Sequence, residues 1–262
     1  MTKAYCELMD DSTTTPPESG SPSPRRSSPQ RSSGRRLRGA VANKLGVAIL
    51  SGDYAPGDTL SGEIAFAEEL NVSRGAYREA IQVLTAKGLV ESRPKAGTRV
   101  LPRQRWNLLD PDVLAWAFTG EPDAQLVRSL FELRLVIEPA AAAMAAVRRD
   151  KTELKEMRDA LAAMKRFSLA NEQGRQADRA FHDAILQATH NDAMVVLSAS
   201  IGAAVNWTTQ YKQRLRALPR DPIPDHVRVF DAIAAEDADG ASAAMTALVK
   251  LALEDTSRAM ER

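Results

Sequence analysis

The stretch TLSGEIAFAEELNVSRGAYREAIQVLTAKGLVESRPKAGTRV, residues 59–100, decides the fold of the N-terminal part of this 262-residue chain. Apolar residues recur at helical spacing in two short segments, which the turn Asn71-Val72-Ser73 separates. Lys87-Gly88 ends the second helix, and strand-like segments follow at 89–92 and 98–101. This order predicts a winged helix-turn-helix. Its apolar positions are Ile64, Phe66, Ala67 and Leu70, then Tyr77, Ala80, Ile81 and Leu84.

The second helix carries cations where a recognition helix meets DNA. Arg74 and Arg78 lie one turn apart near its N-terminus, and the hairpin has a cationic tip with a glycine that lets its backbone approach phosphate. The alternative is a small helical domain whose arginines are only solvated. We predict that double-stranded DNA is the partner and that these residues contact it: Ser73, Arg74, Tyr77, Arg78, Arg93, Lys95, Gly97 and Thr98.

Charge and composition divide the chain into four parts. Residues 20–52 hold seven basic residues and no acidic one, whereas residues 105–262 hold 20 basic and 23 acidic residues. We therefore expect the cationic potential on the N-terminal side, where DNA would lie. The predicted parts are a disordered Ser/Pro/Arg-rich arm (1–36), the winged helix-turn-helix (37–102, with a first helix from 37 to about 51), a connector (103–122) and a helical effector-binding and dimerisation domain (123–262).

The connector contains the string WNLLDPDVLAW, residues 106–116. Asp110 is placed to cap a short helix that begins at Pro111. We expect Trp106 and Trp116 to anchor the connector to both domains.

The C-terminal part shows helical periodicity throughout and no strand pattern. The predicted helices are 123–149, 151–170, 173–189, 192–215, 223–236 and 238–260. They predict an antiparallel helical bundle that is large enough to enclose a cavity. The fold class is therefore mainly α, a winged helix-turn-helix followed by an all-α bundle.

Two features of the sequence bear on the cellular location of the protein. The uncharged run 193–211 contains serine, threonine, asparagine and glutamine, so a buried bundle helix fits it better than a membrane span. The single cysteine, Cys6, and the lack of an apolar leader fit a reducing cytoplasm. We predict a cytoplasmic protein with no membrane partner.

The helical domain contains a candidate metal site. Asp178 and His182 are four residues apart on one helix and therefore project from one face. His226 lies on an apolar stripe of a later helix and points toward the core. Such a donor set suits a divalent Zn, Ni or Mn ion better than calcium. Alternatively, the two histidines are ordinary core residues. His190, at a helix end, receives no ligand role.

The N-terminal residues resemble the DNA-binding domain of GntR-type bacterial transcription regulators. The similarity covers residues 36–102 and includes the segments 60–63, 72–74, 78–80, 88–90 and 97–98. Ile64 stands where that family usually has an arginine that contacts DNA, and Ser61 stands where it usually has proline. The operator sequence therefore does not follow from the resemblance.

The C-terminal residues are similar to the helical FCD effector domain of the FadR branch of that family. The similarity lies in Leu133-Arg134, Glu138-Pro139, residues 178–182 and residues 225–233. It implies that Asp178, His182 and His226 hold a divalent metal beneath a small carboxylate effector, with Arg134 reaching into the cavity. The branch has a fourth histidine about where this chain has Leu248. Arg134 can instead form an ion pair with Glu138.

The galactonate-operon repressor group is the part of this branch that the chain most resembles. The resemblance implies a homodimeric repressor of sugar-acid catabolism genes that an aldonate such as galactonate releases from a palindromic operator. The alternatives are a metal-responsive regulator and a response to another small carboxylate. We do not expect an enzyme, since no general acid or base accompanies the Asp178, His182 and His226 trio.

Overall fold

A computed structural model describes residues 30–60, 62, 72–93, 96–215 and 220–261. Its N-terminal part contains helix α1 (Gln30–Leu50), helix α2 (Arg74–Ala86) and the strands β1 (Val90–Arg93) and β2 (Gly97–Val100). The strands form an antiparallel hairpin in which Val90 pairs with Val100. The predicted helix around Ile64 and Leu70 lies outside the described residues.

The apolar stripes of α1 and α2 form the first hydrophobic core. Leu45 and Ile49 of α1 pack with Ile81 and Leu84 of α2, and the hairpin closes the core through Val90. Gly88 ends the connection from α2 at a φ of 72°, a left-handed conformation that favours glycine. The predicted second helix of the motif and the β-hairpin after it are confirmed.

Helix α1 begins seven residues before its predicted start. The segment from Gln30 to Arg36, assigned above to the disordered arm, continues the α1 backbone. Four of its seven residues are arginine or glutamine, which are good helix formers, and extending an existing helix through Ser32, Ser33 and Gly34 costs far less than nucleating one. The rest of the arm, residues 1–29, lies outside the described residues.

The connector comprises a short 3-10 turn (Arg103–Arg105) and helix α3 (Pro111–Ala117). Asp110 caps α3 as predicted, accepting hydrogen bonds from the backbone N–H groups of the second and third helical residues. The expectation for the tryptophans is wrong in part, because Trp106 and Trp116 both lie in the first core. A Cβ at Gly46 would lie 2.2 Å from the Trp116 ring, so glycine is what admits that ring.

The opposite side of α3 reaches the second core. Leu114 and Phe118 are fully buried there. Neighbouring residues on a short helix point in different directions, so one helix can fill two cores. The connector therefore joins both cores, with Trp106 and Trp116 in the first and Leu114 and Phe118 in the second.

All regular elements described beyond residue 123 are helices, as predicted. They are α4 (Ala124–Arg148), α5 (Lys151–Phe167), α6 (Glu172–Gln187), α7 (Asp192–Val195), α8 (Ser198–Leu215), α9 (Ile223–Ala234) and α10 (Ala238–Met260). The predicted helix 192–215 is divided at residues 196–197 into α7 and α8. Each of the other segments matches its prediction to within three residues.

The bundle packs α10 on α4 and α9, α5 on α6, and α6 on α8. Its core is built from alanine, leucine and methionine around Phe131 and Phe181. Among the described residues, no helix combines the length and the apolar character that crossing a membrane requires.

Candidate DNA-contact surface and ligand centre

The N-terminal end of α2 presents two arginines to solvent. The Ser73 hydroxyl oxygen accepts a hydrogen bond from the backbone N–H of Ala76 at 3.2 Å, which caps the helix as predicted. Arg74 and Arg78 are exposed, whereas the other face of α2 packs in the first core. The described helix therefore offers two cations on one exposed face.

Two of the predicted DNA contacts are buried. Tyr77 is 5% exposed and Thr98 is 7% exposed. Tyr77 belongs to the apolar stripe that packs α2 on α1, and Thr98 lies on the inward face of β2, where its hydroxyl donates to that of Ser92 at 3.4 Å. Both side chains are therefore mostly covered by the protein, and a DNA contact through them stays a prediction.

At the tip of the hairpin, the charge of Arg93 is partly compensated by Glu91. Arg93 is exposed, and its guanidinium lies 3.0 Å from a carboxylate oxygen of Glu91. Exposed pairs of this kind are weak, so Arg93 can exchange its partner for phosphate. Gly97 is exposed with a φ of 81°, and Lys95 lies outside the described residues.

Three side chains from two helices meet in the interior of the bundle. Asp178 and His182 come from α6 and His226 comes from α9, and each is 3% exposed. One ligand atom from each lies within 4.8 Å of the others. The Asp178 carboxylate oxygen Oδ1 is 3.0 Å from Nε2 of His226 and 3.7 Å from Nε2 of His182. The structure thus brings together the three residues that the sequence singled out.

In each imidazole, Nε2 faces Asp178 and Nδ1 faces another oxygen that orients the ring. Nδ1 of His226 donates a hydrogen bond to the carbonyl oxygen of Pro222 at 2.8 Å. Nδ1 of His182 lies 2.6 Å from a carboxylate oxygen of Glu138, in a close contact that is not aligned as a hydrogen bond. Nε2 of each ring faces Asp178, and in a metal-bound form a proton on each Nδ1 would leave both Nε2 lone pairs to the ion. Metal-binding histidines are oriented in this way, so the donor set fits a divalent cation.

Arg134 and Glu138 of α4 form the wall beside this trio. Nε of Arg134 donates to a Glu138 carboxylate oxygen at 2.5 Å, and the two side chains are almost wholly buried. Burial favours a higher pKa for Glu138, but the interactions of its carboxylate with the Arg134 guanidinium and the His182 imidazole outweigh it and lower the pKa to about 2. The ion pair that the sequence left open for Arg134 is therefore present.

Asp178 is likewise held as a carboxylate. Burial would raise its pKa, but the hydrogen bond from His226 and nearby positive charges lower it below the usual value. Deprotonated oxygen and unprotonated nitrogen are the forms that bind a cation.

A small cavity lies between the Asp178, His182 and His226 trio and Arg134. Its volume is about 30 Å³, room for about one water molecule or an ion. Ligand pockets usually measure several hundred cubic ångströms, so the centre is closed in this conformation. A larger, open cleft of about 790 Å³ lies between α3, α6 and α8, but the trio does not line it.

The cavity wall includes residues that the sequence analysis did not assign. Lys212 and Thr209 reach it from α8, Arg220 from the segment before α9, and Asp255 from α10. Val205, Thr209 and Lys212 recur at helical spacing, a stripe that was available in the sequence. Leu248, the position of the absent fourth histidine, also lines the cavity.

Comparisons with known proteins agree with this architecture. The model of the family described as bacterial regulatory proteins, gntR family, matches residues 37–100, and that of the FCD domain matches residues 129–251. The chain is 35% identical over 212 residues to the galactonate operon transcriptional repressor of Escherichia coli, covering 78% of this chain and 90% of that protein. The chain belongs to the GntR family. It is a GntR regulator with an FCD domain.

Other GntR relatives support the same assignment. The uncharacterised Escherichia coli regulator YieP is 34% identical over 222 residues, covering 82% of this chain and 94% of YieP. The solved structure of Lar, from Listeria monocytogenes, superposes with a TM-score of 0.62 at 20% identity, covering 85% of this chain and 97% of Lar, and shows the shared fold. The matched families and curated relatives are transcription regulators, not enzymes.

Proposed function

We propose that this GntR regulator is a homodimeric repressor of sugar-acid catabolism genes, which an aldonate such as galactonate releases from a palindromic operator. The observation that carries the proposal is the buried convergence of Asp178, His182 and His226 beside Arg134. Burying such polar groups in an apolar bundle costs folding free energy that their mutual contacts offset, and a role in binding a ligand would account for their placement there. The similarity to the galactonate operon repressor supports a sugar acid as that ligand.

Asp178, His182 and His226 would hold a divalent Zn, Ni or Mn ion. A bound ion of this kind supplies a positive centre that attracts carboxylate and hydroxyl oxygens. The described trio fills only part of the usual coordination of these metals, and Leu248 adds no donor. Positions would therefore remain for oxygens of the effector.

Arg134 would contribute donors from the wall. Its Nε donates to Glu138, while its terminal nitrogens form no hydrogen bond within the described part of the chain. A planar guanidinium suits carboxylate oxygens. Glu138 thus fixes the side chain, and its outer edge remains available to an effector.

A chain of contacts joins the cavity to the recognition helix. Helix α8, which lines the cavity, packs on α3. At the start of α3, Asp110 and Asp112 lie 2.6 and 2.9 Å from the amine of Lys87, the residue that ends α2. Because the cavity is closed, admitting a sugar acid must move its walls, and this chain of contacts can carry the movement to α2.

Operator release requires only a modest free-energy coupling between effector binding and DNA binding. A symmetric dimer reads two half-sites at fixed spacing with one recognition helix each. If the effector favours a dimer geometry with another spacing, a difference of about 1.4 kcal/mol lowers operator affinity tenfold.

Thermal unfolding against a panel of aldonates, uronates, 2-keto-3-deoxy acids and dicarboxylates tests the proposal. A ligand at 100 times its dissociation constant stabilises the native state by roughly 2.7 kcal/mol, which raises the melting temperature by about 5–10 °C for a chain of this size. We expect a shift with a sugar acid that Arg134→Ala reduces. No shift with any sugar acid would refute the effector class.

The size of the cavity favours one second candidate, a regulator for which the metal itself is the signal. About 30 Å³ accommodates an ion without rearrangement. Operator release by Zn, Ni or Mn alone, with no response to the panel, would support this candidate over the first.

A further inference from the structure

Lys212 places an amine at the cavity wall in the bundle interior. It lies near the C-terminal end of α8, one turn after Thr209, and both residues line the cavity with Asp178 and His226. The Lys212 side chain is partly buried. The residue has no assigned role in the site described above.

The other two cations of the cavity already have carboxylate partners. Arg134 is paired with Glu138 at 2.5 Å. Arg220 contacts Asp225, and its Nε lies 3.0 Å from Asp255. Their charges are therefore compensated within the protein.

Lys212 has no such partner. Within the described part of the chain, no carboxylate lies within 4.0 Å of its amine and no hydrogen bond to it is formed. After burial, the charges that act on it are, largest first, the cation of Arg134, the carboxylates of Asp255 and Asp178 and the cation of Arg220. Both carboxylates have other partners, since Asp178 contacts His226 and Asp255 contacts Arg220.

The environment penalises this lone charge. Burial, reinforced by the neighbouring guanidinium of Arg134, lowers the pKa of Lys212 to about 8. A desolvated ammonium without a counter-ion is unfavourable, and an anion entering the cavity would remove that penalty. A carboxylate placed beside the Lys212 amine would therefore be favoured.

We propose that Lys212 binds the carboxylate of the effector and makes the site select acids over neutral polyols. The proposal rests on the proposed function, since it assumes that a small sugar acid occupies the cavity. Arg134, whose charge Glu138 already balances, then contributes further hydrogen-bond donors to the oxygens of the ligand. The hydroxyl of Thr209 lies on the same wall, where a polyhydroxy chain would pass.

Calorimetric titration with galactonate and with the neutral polyol galactitol tests this assignment. We expect the unmodified protein to prefer galactonate by at least tenfold. Lys212→Met removes the charge but keeps an unbranched side chain, and it should lose at least tenfold in galactonate affinity while galactitol binding and zinc binding stay unchanged. Lys212→Arg should retain the preference for the acid.

Lys250→Met is the matched control, because Lys250 is exposed on α10 and should behave as the unmodified protein does. Unchanged galactonate affinity in Lys212→Met would overturn the assignment and leave the proposed function standing. Equal losses for galactonate and galactitol would also overturn it, because they would indicate a change of shape rather than of charge. If the unmodified protein binds no sugar acid of the panel, both proposals fail.

Discussion

Replacing Glu138 with glutamine should change which nitrogen of His182 carries the proton. In the native protein the carboxylate accepts from Arg134 on one oxygen and faces Nδ1 of His182 with the other, at 2.5 and 2.6 Å. A glutamine has one oxygen and one amide group. Since the guanidinium can only donate, the oxygen must face Arg134 and the amide must face His182. The imidazole then accepts at Nδ1 and carries its proton on Nε2, the nitrogen that points toward Asp178.

The substitution should lower both the affinity for the metal and the stability of the protein. Loss of the orienting partner of a metal-bound histidine costs 10–100-fold in affinity, which is about 1.4–2.7 kcal/mol. Because a buried ion pair loses one charge, the free energy of unfolding should also fall by about 3 kcal/mol. That loss lowers the melting temperature of the metal-free protein by about 6–12 °C.

Two measurements separate these effects. Competition titration of zinc against a chromophoric chelator gives the metal affinity at a temperature where both proteins are folded, and calorimetric melting of the chelated proteins gives the stability. Glu132→Gln, an exposed position on the same helix, is the matched control. Zinc affinity in Glu138→Gln equal to that of the control would refute the proposed orientation of His182.

Four further predictions follow from single contacts. Arg78→Ala should lose about 1–3 kcal/mol of operator binding in fluorescence anisotropy; unchanged affinity would remove Arg78 from the DNA-contact surface. Leu248→His places an imidazole on the cavity wall and should raise zinc affinity at least tenfold by chelator competition, whereas an unchanged value would show that position 248 cannot reach the ion. Lys87→Met breaks the contact with Asp110 and should lower the free energy of unfolding by about 1–2 kcal/mol. It should also weaken operator release by galactonate, and release equal to that of the unmodified protein would contradict this prediction. Because Lys212 loses its proton above its pKa of about 8, galactonate affinity should be level near pH 7 and about tenfold lower near pH 9, and a flat calorimetric profile would count against that charge.

Local patterns were enough to predict most of the backbone. Ser73 before an apolar stripe and Asp110 before a proline are capping arrangements whose hydrogen bonds involve only neighbouring residues, and both are present. Asp178 and His182 share a helix face by spacing alone. These predictions hold because their physical cause lies within one or two helical turns.

Properties that depend on several helices were not accessible in this way. Trp106 and Trp116 were expected to anchor the connector to both domains. Both instead enter the first core, where Gly46 of α1 leaves space for the Trp116 ring. Tyr77 fitted both an apolar stripe and a DNA contact; the structure confirms its packing in the first core, and the DNA contact stays a prediction. The lack of a partner for Lys212 can be recognised only once α4, α6, α9 and α10 are placed around it.

The central claim is that the buried centre of Asp178, His182 and His226 controls operator binding. The most direct test is anisotropy of an operator duplex, selected from random DNA with the purified protein, during titration with galactonate in the presence of zinc. We predict that galactonate releases the unmodified protein, and that Asp178→Asn binds the operator equally well without effector but is not released. Release of Asp178→Asn at the same galactonate concentration would contradict the claim.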